Sequence, residues 1–521
     1  MKGPVFFIAC CCIAASLLIT SCASGIVVQT GSASPPEVLQ YANDWPLPDH
    51  DYAGTRAATN SSIGSGNVAT LGPAWSFPVQ AGGGDSGALA GTNPLITGGT
   101  VYVEDMLSRL YAIDLATGQE LWSYDPAVGS PSQGPIGPAI GWGKAFMPVD
   151  LSDLVAIDLT THQKVWDTDL TFNRPVGMLI QPVAYDGTVY ASTQPGTATL
   201  GEYLPGGAGV LYGIGQATGE VRWSFDTIQS PDLWGHPEIN SGGGAWMPPA
   251  IDTQSGTVFW GTGNPAPFPG TADYPGGTSR PGRDLYTDSL LALDHLNGSL
   301  EWFNQVDPHD NFDHDFQISP ILATVPIDGT PRDIVIGAGK WGRVYGFDRA
   351  TGSILWVTLV GDHNGNDELA TVPDDPIAVL PGALGGVETP MAYADGTVYV
   401  TNDDLPTLYS ASGYVAFVGN VSGGRGGITA IRADTGKVAW RQNLPSLATG
   451  GATVVNDLVF VGTYDGTIRA FNRTTGVPLW SYQAPAGINA WPAVAGDTLV
   501  WPCGVGPNAS VIALRPAGTG P

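Results

Sequence analysis

Cysteine and positive charge are what this chain of 521 residues has least of. Of its 5 cysteines, Cys10, Cys11, Cys12 and Cys22 sit at the start, so Cys503 stands alone afterwards and no disulfide framework is available there. These residues also contain no C-x-x-C-H, so they encode no covalently attached c-type haem. Lys and Arg number 20 against 47 Asp and Glu, a formal net charge of −27. Without a basic stripe to neutralise phosphates, nucleic acid is excluded as a partner. The acidic balance serves solubility; its sharper alternative is a docking patch for a basic electron carrier. Long apolar runs are missing beyond Val5 to Ile19, and no long amphipathic helical pattern appears.

That single apolar run is too short and wrongly flanked for a spanning helix and reads as a secretory signal. It ends in Ile19-Thr20-Ser21-Cys22, which resembles a bacterial lipobox. The expectation is a signal peptide over 1–21 and a flexible tether over 22–42 after a lipidated Cys22, followed by one domain over 43–521. The protein would then cross the cytoplasmic membrane and stay at the cell envelope, on the periplasmic or cell-surface face, held by its lipid alone.

What the chain has in quantity is repetition. AIDLATGQELW (Ala112–Trp122) returns as AIDLTTHQKVW (Ala156–Trp166), GIGQATGEVRW (Gly213–Trp223) and ALDHLNGSLEW (Ala292–Trp302). It returns again as GFDRATGSILW (Gly346–Trp356), AIRADTGKVAW (Ala430–Trp440) and AFNRTTGVPLW (Ala470–Trp480). Each copy is strand, tight turn, strand, most with Asp or Asn entering the turn and Gly where positive φ is needed. The Gly 72 and Pro 43 of the composition punctuate these short strands rather than marking low complexity. Successive motif tryptophans lie 44, 57, 79, 54, 84 and 40 residues apart, a core of one four-stranded propeller blade with variable insertions. Trp75 lies 47 residues before Trp122 without its preceding strand, whereas SVIALR (Ser510–Arg515) at the other end is a strand without its Trp. The expected fold is therefore an all-β, eight-bladed propeller of four-stranded antiparallel blades. Its ring is closed by pairing the N- and C-terminal segments, and each motif Trp docks between neighbouring sheets.

Function should concentrate on the long insertions between blades. Between Trp166 and Asp315 stand Glu202, Trp246 in SGGGAWMPPAID, Asn264 in GTGNPAPFPG, and Asp310, Asp313 and Asp315 in HDNFDHDF. Carboxylates with an amide oxygen suit a hard, oxygen-seeking cation such as Ca²⁺ or a lanthanide, and suit zinc or copper poorly. The bland alternative is a set of solvated loops.

The tract from DLYTDSLLALDHLNGSLEW through HDNFDHDFQISPIL resembles the pyrroloquinoline-quinone (PQQ) dependent alcohol dehydrogenases. So, in the same order, do NDWPLPDHDYAGTRAA, GTGNPAPF, GKWGRVYGFDRATG, LPGALGGVETPMAYADGTVYVT and TGGATVVNDLVFVGTYDGTIRAFNRTTG. The resemblance implies PQQ and a Ca²⁺ or lanthanide ion on the axis of an eight-bladed propeller. Asp313 would be the base taking the substrate hydroxyl proton; Glu202, Asn264, Asp313 and Asp315 would hold the metal, Asp315 being the extra carboxylate of lanthanide users. Lys340 would face the quinone oxygens, Trp246 would stack beneath the ring, and Asn489 would contact the cofactor. An alcohol or polyol would be the substrate and an external acceptor, such as a soluble cytochrome c, would take the electrons.

The chain departs from the family in three places. Beyond the expected signal and lipidation site its one cysteine is Cys503, so it has no adjacent pair for the ring above the quinone. GSPSQGPIGPAIGWGKAF has no Arg for a PQQ carboxylate, so Arg280, Arg283 or another cation must substitute. GGVETP places Glu388 where a polar-aromatic pair is more usual. The alternative from a different class is a non-catalytic envelope lipoprotein, a propeller acting as a protein-interaction scaffold.

Overall fold

The computed structural model describes Met1 and residues 33–79, 88–128, 132, 134–196 and 204–518. Cys22, the signal segment and Glu202 lie outside the described residues. Ala33–Pro521 forms one compact unit. Its first element is the helix Pro36–Gln40, inside the stretch expected to be a tether. There the Glu37 carboxylate accepts the N–H groups of Trp142 (2.9 Å) and Gly143 (2.6 Å), tying this segment to a blade. Among the described residues no helix is long and apolar enough to cross a membrane.

Eight sheets with a four-stranded antiparallel core follow one another, two of them with a short fifth strand: Ala57–Ala58, parallel to Ala452–Val455, and Val176–Gly177, antiparallel to Thr188–Pro195. The first blade is Leu95–Thr97, Thr100–Glu104, Leu110–Asp114 and Glu120–Tyr124, and later blades end on strands bearing Trp166, Trp223, Trp302, Trp356, Trp440 and Trp480. The eighth is shared as the sequence requires: Ala493–Ala495, Thr498–Cys503 and Ser510–Pro516 take Leu71–Pro78 as fourth strand, with Trp75 opposite Ala513. In five blades the turn before the fourth strand is built by an Asp or Asn: Asp114, Asp158, Asp294, Asp348 and Asn472. The Asp114 carboxylate, for example, accepts the Thr117 N–H (2.8 Å) and hydroxyl (2.7 Å), and Gly118 follows at φ +73°.

The tryptophans join blade to blade. Nε1 of Trp75 donates to Leu115 O (2.9 Å), Trp166 to Gln216 O (3.2 Å), Trp223 to His295 O (3.1 Å) and Trp302 to Arg349 O (3.1 Å). Trp356 donates to Ala433 O (2.9 Å), Trp440 to Arg473 O (3.0 Å) and Trp480 to Leu71 O (3.2 Å), which closes the ring. Each indole except the last lies against the turn residue of the next blade. At Gly298 an added Cβ would come 2.4 Å from Trp223, so the glycine serves contact as well as φ. In AIDLTTHQKVW that glycine is His162, and Trp122 stacks on its imidazole at 4.4 Å.

One segment crosses the ring. Backbone carbonyls of Trp45, Tyr52, Ala53, Thr55 and Arg56 accept N–H groups from Ile96, Ile251, Leu322, Tyr393 and Val454, on the first strands of five blades. Arg56, fully buried, donates to Asp49 (3.1 Å), Thr453 (3.0 Å) and the carbonyls of Pro48, Ala452 and Pro492. A second insertion is a small sheet of Ile377–Val379, Thr407–Ser410 and Gly413–Phe417 that belongs to no blade.

Candidate active site

Three segments meet at the centre. The first is Thr262-Gly263-Asn264, which leaves the second strand of the fourth blade, Thr257–Gly261. Thr262 bridges to Phe316, and the Asn264 N–H donates to Asp315 Oδ1 at 2.6 Å. Gly263 makes this possible: a Cβ there would lie 2.4 Å from the Asp315 carboxylate. The second segment, Phe312 to Phe316, precedes the fifth blade and turns through positive φ at Asp313 (64°) and Asp315 (23°), the kind of backbone strain that concentrates at functional sites. The third is the turn after Thr330–Ala338. Lys340 sits in this tight turn, which closes through Gly342 N–H to Gly339 O at 3.0 Å. The turn is stitched to the second segment by Lys340 N–H to Asp315 O (3.0 Å) and Trp341 N–H to His314 O (3.1 Å).

These contacts bring four of the expected side chains together. Lys340 Nζ donates to Asp313 Oδ2 at 3.0 Å, lies 2.6 Å from Asp315 Oδ2 and stands 4.9 Å over the Trp246 indole. Asn264, Asp313, Asp315 and Lys340 are all buried, Trp246 half-buried. Asp313 Oδ1 is buried without a hydrogen-bond partner. Burial drives the Asp313 carboxyl well above its ordinary range; Lys340 opposes that and the Asp315 charge reinforces it. An all-oxygen donor set with an orphaned carboxylate oxygen fits a hard cation, whose charge would offset that cost. Asn489 is half-buried on the loop entering the eighth blade, its carbonyl accepting from Gly91.

Of the two arginines suggested as substitutes, Arg280 is committed elsewhere and Arg283 is exposed. Arg280 is fully buried and spends its guanidinium on Asp284, Asp310 O (2.5 Å) and Pro267 O, while Arg283 donates to Gln305 at 3.1 Å. Lys340 is the cation among the central side chains described here.

Behind the aspartates lies a layer that sequence reasoning largely missed. His314 Nδ1 is 2.9 Å from Asp307 and 3.3 Å from Asp310, and its ring stacks on Trp341 at 4.8 Å, with Arg343 on Trp341 at 3.8 Å. Burial opposes charge on His314, but Asp310 and Asp307 prevail and raise its pKa. Asp288 is buried with both carboxylate oxygens unpartnered, and burial together with Asp310 and Asp307 holds its pKa well above the usual range. Glu388 is half-buried, and burial pushes its carboxyl up to about 7 against the pull of Lys340. Of the aspartates in this layer, Asp310 stood out in HDNFDHDF; nothing local marks Asp288.

Residues 45–140 and 176–359, more than half of the chain, match the family described as the PQQ glucose/ethanol/alcohol dehydrogenase β-propeller domain. Residues 378–519 match the outer membrane protein assembly factor BamB. The quinohemoprotein alcohol dehydrogenase ADH IIB of Pseudomonas putida is 27% identical over 512 residues, covering 87% of this chain and 71% of that protein. The solved quinohemoprotein alcohol dehydrogenase of Comamonas testosteroni superposes with a TM-score of 0.77 at 23% identity, covering 92% of this chain and 81% of that one. A europium-containing methanol dehydrogenase superposes at 0.75 and 19% identity, covering 91% and 98%. These two likenesses establish the fold.

Proposed function

The chain belongs to the PQQ-dependent glucose/ethanol/alcohol dehydrogenase propeller family, and from that premise we propose that it oxidises an alcohol or polyol at the cell envelope. The observation that carries this reading is the buried, unpartnered Oδ1 of Asp313 inside a cluster with Asp315, Asn264 and Lys340. PQQ, when bound, supplies the two-electron acceptor, and a Ca²⁺ or lanthanide ion beside it polarises the reacting oxygens. Asn264, Asp313, Asp315 and Glu202 are the proposed metal ligands; Trp246, Lys340 and Asn489 are the proposed cofactor contacts.

Asp313 accepts the substrate hydroxyl proton while the carbinol hydrogen departs with its electron pair. Lys340 favours the ionised form of Asp313 and holds its Oδ2, which leaves Oδ1 as the acceptor. The left-handed turn at Asp313, stitched to the Lys340 turn, fixes that oxygen's direction and so lowers the orientational cost of proton transfer. Electrons then pass to an external one-electron carrier such as a soluble cytochrome c. Cys22 is the proposed lipid anchor at the envelope.

Reconstitution tests the reading. The purified protein, given PQQ with Ca²⁺ or La³⁺, is expected to show saturable quinone absorbance and alcohol-dependent dye reduction. Asp313→Asn should keep the cofactor but lose about 10²-fold or more in kcat. No saturable PQQ binding with either metal overturns the proposal. That result would favour the second reading, a non-catalytic envelope scaffold, for which the BamB match over residues 378–519 speaks.

A further inference from the structure

The layer behind the hub aspartates gathers ligand-bearing side chains of a different kind. One ligand atom each of Asp307, Asp310 and His314 lie within 4.8 Å of one another, the one such trio of His, Cys, Asp or Glu among the described residues. The loop itself sets this up. Asp310 accepts the Phe312 N–H at 2.6 Å on one oxygen and the His314 N–H at 2.7 Å on the other, each oxygen keeping a second lone pair. His314 Nδ1 then faces Asp307 Oδ2 at 2.9 Å and Asp310 Oδ1 at 3.3 Å, and the Trp341 indole stacked on the imidazole holds its plane. Asp310 and His314 are buried, and the Asp307 side chain is 15% exposed.

A further acid, Asp288, indicates what the trio holds. It is 1% exposed, and neither of its carboxylate oxygens has a hydrogen-bond partner. Its main chain is fixed next to the trio: Val306 N–H donates to Asp288 O at 2.9 Å, and Asp288 N–H donates to Gly263 O at 3.1 Å. After burial itself, Asp310 and then Asp307 push hardest on the Asp288 carboxyl, which places its oxygens towards them. The Tyr345 phenol, raised by burial against the pull of Arg343, is pushed further by both Asp307 and Asp288. Three carboxylates thus converge around one imidazole, whose positive charge can answer only one of them. Arg280 is spent on Asp284, Asp310 O and Pro267 O. So much buried acid without a counter-charge is costly.

We infer that Asp307, Asp310 and His314 form a second metal site, for a first-row divalent ion such as Mn²⁺ or Zn²⁺, with Asp288 beside it. An imidazole nitrogen among carboxylates suits these ions, whereas Ca²⁺ and lanthanides take oxygen ligands. Three protein ligands leave coordination positions for water, and the unpartnered Asp288 oxygens would accept the hydrogens of that water. Asp310 and His314 flank Asp313 in the chain, so the ion would brace the turn that aims Asp313. The site is distinct from the hub cation proposed for Asn264, Asp313 and Asp315, and it does not depend on the proposed alcohol oxidation.

The test needs no turnover. The protein without PQQ is stripped with a chelator, supplied with excess Ca²⁺ to occupy the hub, and titrated with Zn²⁺ and with Mn²⁺. About one equivalent of either ion per chain should bind. Bound Mn²⁺ should show ¹⁴N modulation in its electron spin echo, a signal of imidazole ligation that the oxygen ligands of the hub cannot give. Affinity should fall about tenfold or more in Asp307→Asn and in Asp288→Asn. The ¹⁴N modulation should vanish in His314→Gln and persist in Asp313→Asn. Asp307 is the least buried of the three ligands, so its variant carries the test where His314→Gln fails to fold. No Zn²⁺ or Mn²⁺ uptake in excess Ca²⁺ overturns the site. Equal affinity in Asp307→Asn and wild type, or uptake lost in Asp313→Asn, does the same and leaves His314 as an ion-pair partner of the two aspartates.

Discussion

Two carboxylates that share one ammonium group cannot both be neutralised by it, and Asp313 and Asp315 divide Lys340 in that way. Their roles nevertheless differ. Asp315 has one oxygen hydrogen-bonded by the Asn264 N–H and the other ion-paired with Lys340 at 2.6 Å, whereas Asp313 Oδ1 has neither kind of contact. Asp315 thus contributes fixed negative charge, and Asp313 contributes a reactive atom. Fixed charge matters more to a trivalent ion than to a divalent one, because the attraction scales with the product of charges. Asp315→Ala is therefore expected to cut La³⁺-supported dye reduction about tenfold more than Ca²⁺-supported turnover. Equal losses with the two metals would remove Asp315 as a discriminator. The same residues explain what could be read in advance. Asn264, Asp313 and Asp315 stand in short Gly- and Asp-rich phrases and were legible. Asp288 and the His314–Trp341–Arg343 stack arise from contacts between segments, which no local spacing records.

At the scale of elements the recurring unit is a joint rather than a blade: an indole from one sheet, a carbonyl from the next, and a glycine where the two surfaces touch. This joint was legible because most copies use the same residue types, Asp or Asn for the turn, Gly for contact, and Trp for reach. The insertions lack such constraint, so the Gly413–Phe417 sheet and the crossing segment through Arg56 left no periodic trace in the sequence. The joint can be weighed by a matched pair of substitutions. Gly298 (φ +69°) faces Trp223 at 2.4 Å from an added Cβ, whereas Gly396 (φ +77°) has nothing within 4 Å. Gly396→Ala reports the backbone cost alone, about 1 kcal/mol. Gly298→Ala adds displacement of the indole and should cost a further 1–2 kcal/mol, roughly, in denaturant unfolding. Indistinguishable midpoints for the two variants would show that the Trp joint carries little of the stability.

For the whole molecule, closing the ring and crossing it with residues 45–56 concentrates buried acid at the hub. Burial raises the carboxyl pKa of Glu104, Asp288, Asp313 and Asp403 well above the ordinary range, and that of Glu388 to about 7. An acid raised on folding binds its proton more tightly in the native state, so its stabilising contribution is complete below its unfolded pKa and is lost as pH rises towards the folded one. For Glu388 that window runs from 4.5 to about 7, and its contribution is roughly 3 kcal/mol at most. Self-repulsion from a net charge of −27 acts in the same direction but over the surface, where salt screens it. Thermal unfolding of the cofactor-free protein in high salt should therefore show a midpoint that falls from pH 5 to pH 7.5. Glu388→Gln should flatten the fall by removing one of the groups that loses its proton there. A hard cation bound among Asn264, Asp313 and Asp315 supplies the positive charge the hub lacks, so Ca²⁺ or La³⁺ should raise the midpoint more at pH 7.5 than at pH 5. A midpoint that climbs with pH in the metal-free protein, or a metal effect larger at pH 5, would show that these acids are already compensated within the fold.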